Sequence, residues 1–257
     1  MTSLLMKKIF QSSFCFNIYL SLVCICIAGL ISCEEHSRTS SPTSNVIIAE
    51  TIAQIPVIVE VIDITGKELH PDSLTAIGKS NQLPPASVYQ WKNHLVLYGA
   101  INDVENVQRE VHAAYPNAEI KIYQDPFYNF NRKHCGDTST AKEWDNIILT
   151  ANLVSDTTLQ REYLNYHATQ FEKWPEVSKG FCKASFQQLL VYKNGRQLML
   201  VISIPKGASL DELNPKTTEN NPRVDEWNAR MKKYQEGIDG TKKGEAWVFF
   251  KKVMSYE

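Results

Sequence analysis

Tyr163 and His167 stand four residues apart in the stretch Arg161–Pro175, so on a helix they share one face. Imidazole is the side chain that ordinarily gives and takes a proton near neutral pH. A phenol one turn away can orient it or hydrogen-bond a hydroxyl. Leu159, Tyr163, Tyr166, His167, Gln170, Phe171 and Trp174 recur at helical spacing. Ser155 or Asp156 can cap the start by accepting a free backbone N–H. Pro175 removes a helix donor, so the helix is expected to end or kink near Trp174. The face is otherwise aromatic, and the pair reads equally as packing or as a site.

The elements around this helix follow one order. Ile147–Leu153 reads as a strand, and the helix follows it. Phe186–Tyr192 and Gln197–Ile204 are two more strands, turned by Lys193-Asn-Gly-Arg196, because Asn-Gly readily takes the positive φ of a tight hairpin. Asp211–Asn220 is a polar connection. Pro222–Gln235 is a second helix with Val224, Trp227, Met231 and Tyr234 on one stripe, and Glu245–Phe250 is a final strand. The order is β-α-β-β-α-β, the ferredoxin-like split βαβ arrangement.

The preceding segment repeats that order. Ile55–Ile64 is rich in β-branched residues and reads as a strand. A short helix around Asp72–Lys79 follows, then the hairpin runs Ala86–Trp91 and His94–Ala100. A helix capped by Asn102 or Asp103 and striped by Val104, Val107, Val111 and Ala114 comes next, then the strand Ala118–Tyr123. The reading is α+β, with two tandem ferredoxin-like domains whose open apolar faces pack together as an intramolecular pseudo-dimer. Asp125–Cys135 joins them as an aromatic loop. Its Phe127, Tyr128 and Phe130 are expected to pack at a domain interface or to close a ligand pocket, since three exposed rings leave much apolar area in water.

The chain has 257 residues, 43% hydrophobic and 21% charged, with net charge -1. That balance offers no basic face for nucleic acid. His70, His94 and His112 are scattered over different elements without ligand-like company, so no metal is expected. Phosphate-loop, nucleophile-elbow and zinc spacings are absent from the sequence. Four of the six cysteines lie at or before residue 33; Cys135 and Cys182 can pair in an oxidising compartment or stand as separate thiols.

Lys7-Lys8 precede a mostly apolar run from Phe14 to Ile31 that ends Leu30-Ile31-Ser32-Cys33. This order resembles a bacterial lipoprotein signal. It implies cleavage after residue 32, lipid on Cys33 and anchoring in the bacterial cell envelope, on the periplasmic face or the cell surface. The expected domains are a signal peptide (1–32), a Ser/Thr-rich tether (33–48), an N-terminal ferredoxin-like domain (49–124), an aromatic-rich linker (125–145) and a C-terminal domain (146–257).

The C-terminal segment resembles a known family. Tyr163 and His167 on the first helix, Trp174-Pro175-Glu176 at its end, the hairpin through Tyr192 and Arg196, Trp227 on the second helix and the last strand are similar to the L-rhamnose mutarotase family over about residues 146 to 252. The resemblance implies a dimeric α/β barrel fold and cofactor-free interconversion of the α and β anomers of a free monosaccharide. It further implies His167 as proton donor and Tyr163 and Trp227 as substrate contacts. The chemistry suits the residues: ring opening removes a proton from the anomeric hydroxyl and delivers one to the ring oxygen, work for an imidazole of pKa near ~6.5. Trp227 offers a flat apolar surface to a sugar face.

Three departures accompany the resemblance. His167 and Trp174 are seven residues apart where the family has four, so extra residues near Thr169–Phe171 are expected to lengthen the helix and move the site wall. Gln187-Gln188-Leu189 stand where the family has a tyrosine, and Trp227-Asn228 replace paired tryptophans. The readings that follow are a lipid-anchored mutarotase-like enzyme, monomeric through its internal pseudo-dimer, a non-catalytic carbohydrate- or partner-binding lipoprotein, and a structural protein with His167 buried between the halves.

Overall fold

The structure, a computed structural model, describes residues 54–253. The segments read as signal peptide and tether, with Cys33, lie outside the described residues. Strand β1 (Val57–Asp63) sets the pattern for the rest. Its alternate residues Val57, Val59 and Val61 pack under the helices of its own sheet, while Ile58 faces the second sheet. A strand buried on both faces needs a near-continuous apolar run, which is what VIVEVID supplies.

After β1 come α1 (Asp72–Ser80), β2 (Val88–Trp91), β3 (His94–Gly99), α2 (Val104–Ala114) and β4 (Ala118–Tyr123). The strands order as β4-β1-β3-β2, with antiparallel neighbours. Asp103 caps α2 by accepting the Asn106 N–H. The second set is β6 (Trp144–Leu153), α3 (Thr157–Ala168), α4 (Gln170–Lys173), α5 (Pro175–Lys183), β7 (Gln188–Asn194), β8 (Gln197–Pro205), α6 (Leu210–Leu213), α7 (Pro222–Lys232), β9 (Gln235–Glu236) and β10 (Val248–Phe249). Its order, β10-β6-β8-β7, repeats that of the first sheet. Both are α+β and ferredoxin-like in strand order, and both fall within one compact unit.

Each set lends a strand to the other. The segment expected as an aromatic loop forms β5 (Tyr128–Asn131), which pairs antiparallel with β7 of the second sheet. In return β11 (Lys251–Lys252), just after β10, pairs with β2 of the first. The exchange covers an edge strand of each sheet, which would otherwise present unpaired N–H and C=O groups.

The helix expected to run to Trp174 is in fact interrupted. Asp156 caps α3 by accepting the Thr158 and Leu159 N–H groups, but α3 ends at Ala168, and the Thr169 hydroxyl turns back to the Asn165 carbonyl. Pro175 opens a new helix at its first position, where its missing N–H is no loss. The extra residues therefore build a corner instead of lengthening the helix. The polar connection at 211–220 contains α6 and a 3-10 turn, Asn214–Thr217, and the last strand is shorter than its apolar run.

Between the sheets lies a shared core that includes Ile58, Val96 and Tyr98 from one side and Ile148, Leu190, Tyr192, Met199 and Val201 from the other. It has one polar centre. The fully buried Glu60 accepts from His94 Nδ1 at 2.8 Å, Tyr123 Oη at 2.8 Å and Gln197 Nε2 at 3.0 Å, so the network joins both sheets. Burial, and then the neighbouring Glu60 carboxylate, raise the Tyr123 phenol well above its usual range, which keeps it a donor. His94, read from sequence as having no ligand-like company, is thus tied to a buried carboxylate. Glu60→Leu removes the acceptor of His94 and Tyr123 and one of the two acceptors of Gln197 Nε2, which keeps Thr150 Oγ1 at 3.1 Å, and should destabilise the fold by about 3 kcal/mol or more. A urea midpoint lowered by about 1–2 M is the expected reading, and an unchanged midpoint would contradict the network's role.

Candidate functional site

Helix α3 places Tyr163 and His167 on its buried face, against the second sheet. The register holds them one turn apart, and their ring centroids are 4.3 Å apart. His167 Nδ1 lies 2.9 Å from the Tyr163 carbonyl oxygen. A carbonyl only accepts, so Nδ1 carries the hydrogen and Nε2 of the neutral ring keeps its lone pair. Among the described residues Nε2 has no hydrogen-bond partner. Burial lowers the His167 pKa to about 4, with the hydrogen bond to the Tyr163 carbonyl opposing it. The ring is therefore neutral at pH 7, with Nε2 available to accept a proton.

Aromatic rings surround the imidazole and leave it 8% exposed. Trp227 comes from α7, with ring centroids 5.3 Å apart. Phe127 and Tyr128, at 5.6 and 5.3 Å, come from the β5 segment. The structure thus brings together the three residues singled out from sequence, His167, Tyr163 and Trp227, and adds a wall from the chain that precedes the second sheet. Trp174 packs in the core, 5.6 Å from Trp227, with the Arg223 guanidinium 3.9 Å above its ring. Tyr192 and Arg196 lie elsewhere: Tyr192 faces the first sheet and donates to the Pro56 carbonyl at 2.7 Å, and Arg196 pairs with Glu236.

The corner after α3 explains how that wall is held. Gln170, fully buried, accepts from Tyr128 Oη at 2.6 Å and donates to the Trp174 carbonyl at 2.6 Å. Phe171 stacks on His134 at 3.8 Å and on Tyr128 at 5.5 Å. Cys135, which follows the 3-10 turn Arg132–His134, is disulfide-bonded to Cys182 of α5. The extra residues thus receive the β5 segment, and the disulfide ties its far end down.

Residues 146–256 match the family model of L-rhamnose mutarotase. An L-fucose mutarotase of Xanthomonas campestris is 27% identical over 97 residues, which cover 37% of this chain and 75% of that protein. A solved structure from Listeria monocytogenes, described as an uncharacterized ferredoxin fold protein related to antibiotic biosynthesis monooxygenases, aligns with a TM-score of 0.38 and 10% identity over 78% of this chain and 95% of that one.

Sequence reasoning did not single out Gln170 as a site residue, although it stood on the helical stripe, and it offered Tyr128 only within the aromatic run expected at a domain interface or closing a ligand pocket. It also passed over Gln235 and Trp247. Gln235 Nε2 donates to Tyr163 Oη at 3.3 Å, and Trp247 Nε1 donates to Gln235 Oε1 at 2.9 Å. No sequence signal marks a glutamine 72 residues from its tyrosine. Among the described residues no cluster of three or more His, Cys, Asp or Glu is arranged for a metal ion.

Two predictions follow from this packing. The unfolded chain protonates His167 near pH 6.5, whereas the folded chain does so near 4. Between those values the unfolded state binds the extra proton, so the contribution is complete above about pH 6.5 and is lost as pH falls toward 4. Relative to His167→Phe, the wild type should lose about 2 kcal/mol of stability between pH 7.5 and pH 5, measured by urea unfolding at both values. The disulfide closes a loop across a sequence separation of 47. Reduction, or Cys135→Ser with Cys182→Ser, should cost about 3–4 kcal/mol by chain entropy and lower the melting temperature. An unchanged melting temperature would refute that role.

Proposed function

We propose that the second sheet and its helices catalyse the interconversion of α and β anomers of a free monosaccharide, rhamnose or a related sugar. The two mutarotase matches support an isomerase-type enzyme acting on carbohydrate. The observation that carries the reading is the state of His167: neutral, its Nδ1 hydrogen committed to a carbonyl, its Nε2 without a partner among the described residues. In the proposed reaction Nε2 takes the proton of the anomeric hydroxyl while the bond from the anomeric carbon to the ring oxygen breaks. The imidazolium returns that proton to the ring oxygen, leaving the open-chain aldehyde. Rotation about the adjacent carbon–carbon bond and the reverse steps close the ring on the other face. No electrons are exchanged with a cofactor. Tyr163 hydrogen-bonds the sugar and Trp227 covers an apolar sugar face.

Access requires one ring to move. Phe127 is half-buried and precedes the first residue of the β5–β7 ladder, so it can swing without breaking a strand. The proposal extends to the rest of the chain. Cys33 carries lipid after cleavage and anchors the protein in the bacterial cell envelope, on the periplasmic face or the cell surface, a reading supported by the Leu30–Cys33 pattern. The two sheets act as an internal pseudo-dimer that leaves the chain monomeric, which the shared strand order and the reciprocal edge strands support.

One observation favours a second reading. The 8% exposure of His167 within four rings suits a core histidine that only packs. Equilibration of a pure rhamnose or fucose anomer, followed by NMR, separates the two. The enzyme reading expects a rate above buffer, lost in His167→Ala, and kcat/KM level through neutral pH with an acid limb near 4, where Nε2 is protonated. Phe127→Ala should retain or raise the rate. Equal rates for wild type, His167→Ala and buffer would leave the packing reading.

A further inference from the structure

Tyr163 is buried, and its phenol oxygen has a fixed role that neither its spacing nor its neighbour His167 explains. Gln235 Nε2 lies 3.3 Å from Tyr163 Oη, and the other end of the same amide meets the Trp247 indole nitrogen at 2.9 Å. An indole N–H can only donate, so the amide atom facing Trp247 is the carbonyl oxygen. The NH2 end then faces Tyr163, whose oxygen must accept. The phenol hydrogen is turned away from Gln235, and among the described residues it finds no acceptor. A buried donor left unmet costs about 1–3 kcal/mol, which a bound ligand oxygen can recover.

We propose that Gln235 is a positioning residue for the reaction, held by Trp247, which makes Tyr163 an obligate hydrogen-bond donor toward the sugar. This rests on the mutarotase reading above. The chemistry gives it a purpose. Negative charge grows on the ring oxygen as the ring opens, and a donor already aimed there needs no reorganisation at that moment. Without Gln235 the hydroxyl can rotate and direct its hydrogen away from the sugar. Gln235 sits on β9, which pairs Asn152↔Glu236 and Leu153↔Gln235 with β6, and Trp247 lies just before β10, which pairs with the same edge of β6, the one opposite β8. The central strand that leads into α3 therefore sets both.

The Gln235→Glu variant tests this with nearly the same shape. A carboxylate accepts from both Trp247 and Tyr163, so the phenol hydrogen turns toward residue 235 and is lost to the site. The expected result is a kcat lower by on the order of 100-fold at pH 8, with KM little changed. As falling pH protonates the new carboxyl, it can donate again, and kcat relative to the wild type at the same pH should rise. A variant with wild-type kcat and a level profile would overturn the proposal. A wild type that fails to equilibrate any anomer sinks the mutarotase reading but leaves a second readout. The Cζ carbon resonance of 13C-labelled Tyr163, assigned with Tyr163→Phe, should move downfield in Gln235→Glu as the phenol becomes a donor to the carboxylate. A resonance that stays in place would overturn the positioning role whatever the activity.

Discussion

The described fold depends on the face-to-face burial of two sheets, one of five strands and one of six. A sheet with helices on one face and apolar residues on the other cannot leave the second face in water. Ile58, Val96 and Tyr98 meet Leu190, Tyr192 and Val201 across that layer, and the edges close by exchange, β5 onto β7 and β11 onto β2. The exchange does more than protect the edges. Because β5 is the continuation of the first set, it delivers Phe127 and Tyr128 to the helix side of the second sheet, against His167. The candidate site is thus completed by a strand that the pairing with β7, the corner after α3 and the disulfide hold in place.

Within that frame the imidazole is controlled by desolvation and one hydrogen bond. Rings on four sides withdraw water and lower its pKa, and the Tyr163 carbonyl selects the tautomer. The same burial keeps the neighbouring Tyr163 phenol above its usual range, so it stays protonated. A neutral base beside a protonated phenol is the pairing that ring opening needs. The polar centre between the sheets shows the opposite use of burial. Glu60 is fully buried and accepts from three donors of the two sheets, so its charge is spent on holding them together.

The elements were legible where a single residue carries a local mechanism. Asp103 and Asp156 cap the helices they precede, and the turn at Asn194-Gly195 brings Gln197 opposite Asn194. The stripe from Tyr163 to Trp174 was legible as a face but not as a shape. Spacing alone does not reveal that Thr169 turns its hydroxyl back on the chain or that Pro175 starts a helix. The run Asp125–Cys135 was readable as aromatic and as bound for an interface or a pocket wall, but not as a strand, since its β partner lies some 60 residues further on.

Composition and periodicity by themselves determined which residues turn inward, because burial of apolar side chains follows a period that the chain writes out locally: two in strands, 3.6 in helices. They also determined that Tyr163 and His167 share a face, since four residues are close to one turn. Tertiary structure alone decided what those residues face. The partner of Tyr163 is Gln235, the wall over His167 is Tyr128, and Cys135 is joined to Cys182. Each joins parts of the chain too distant for any repeat to register, and each exists only because the packing of both sheet faces brings those segments together.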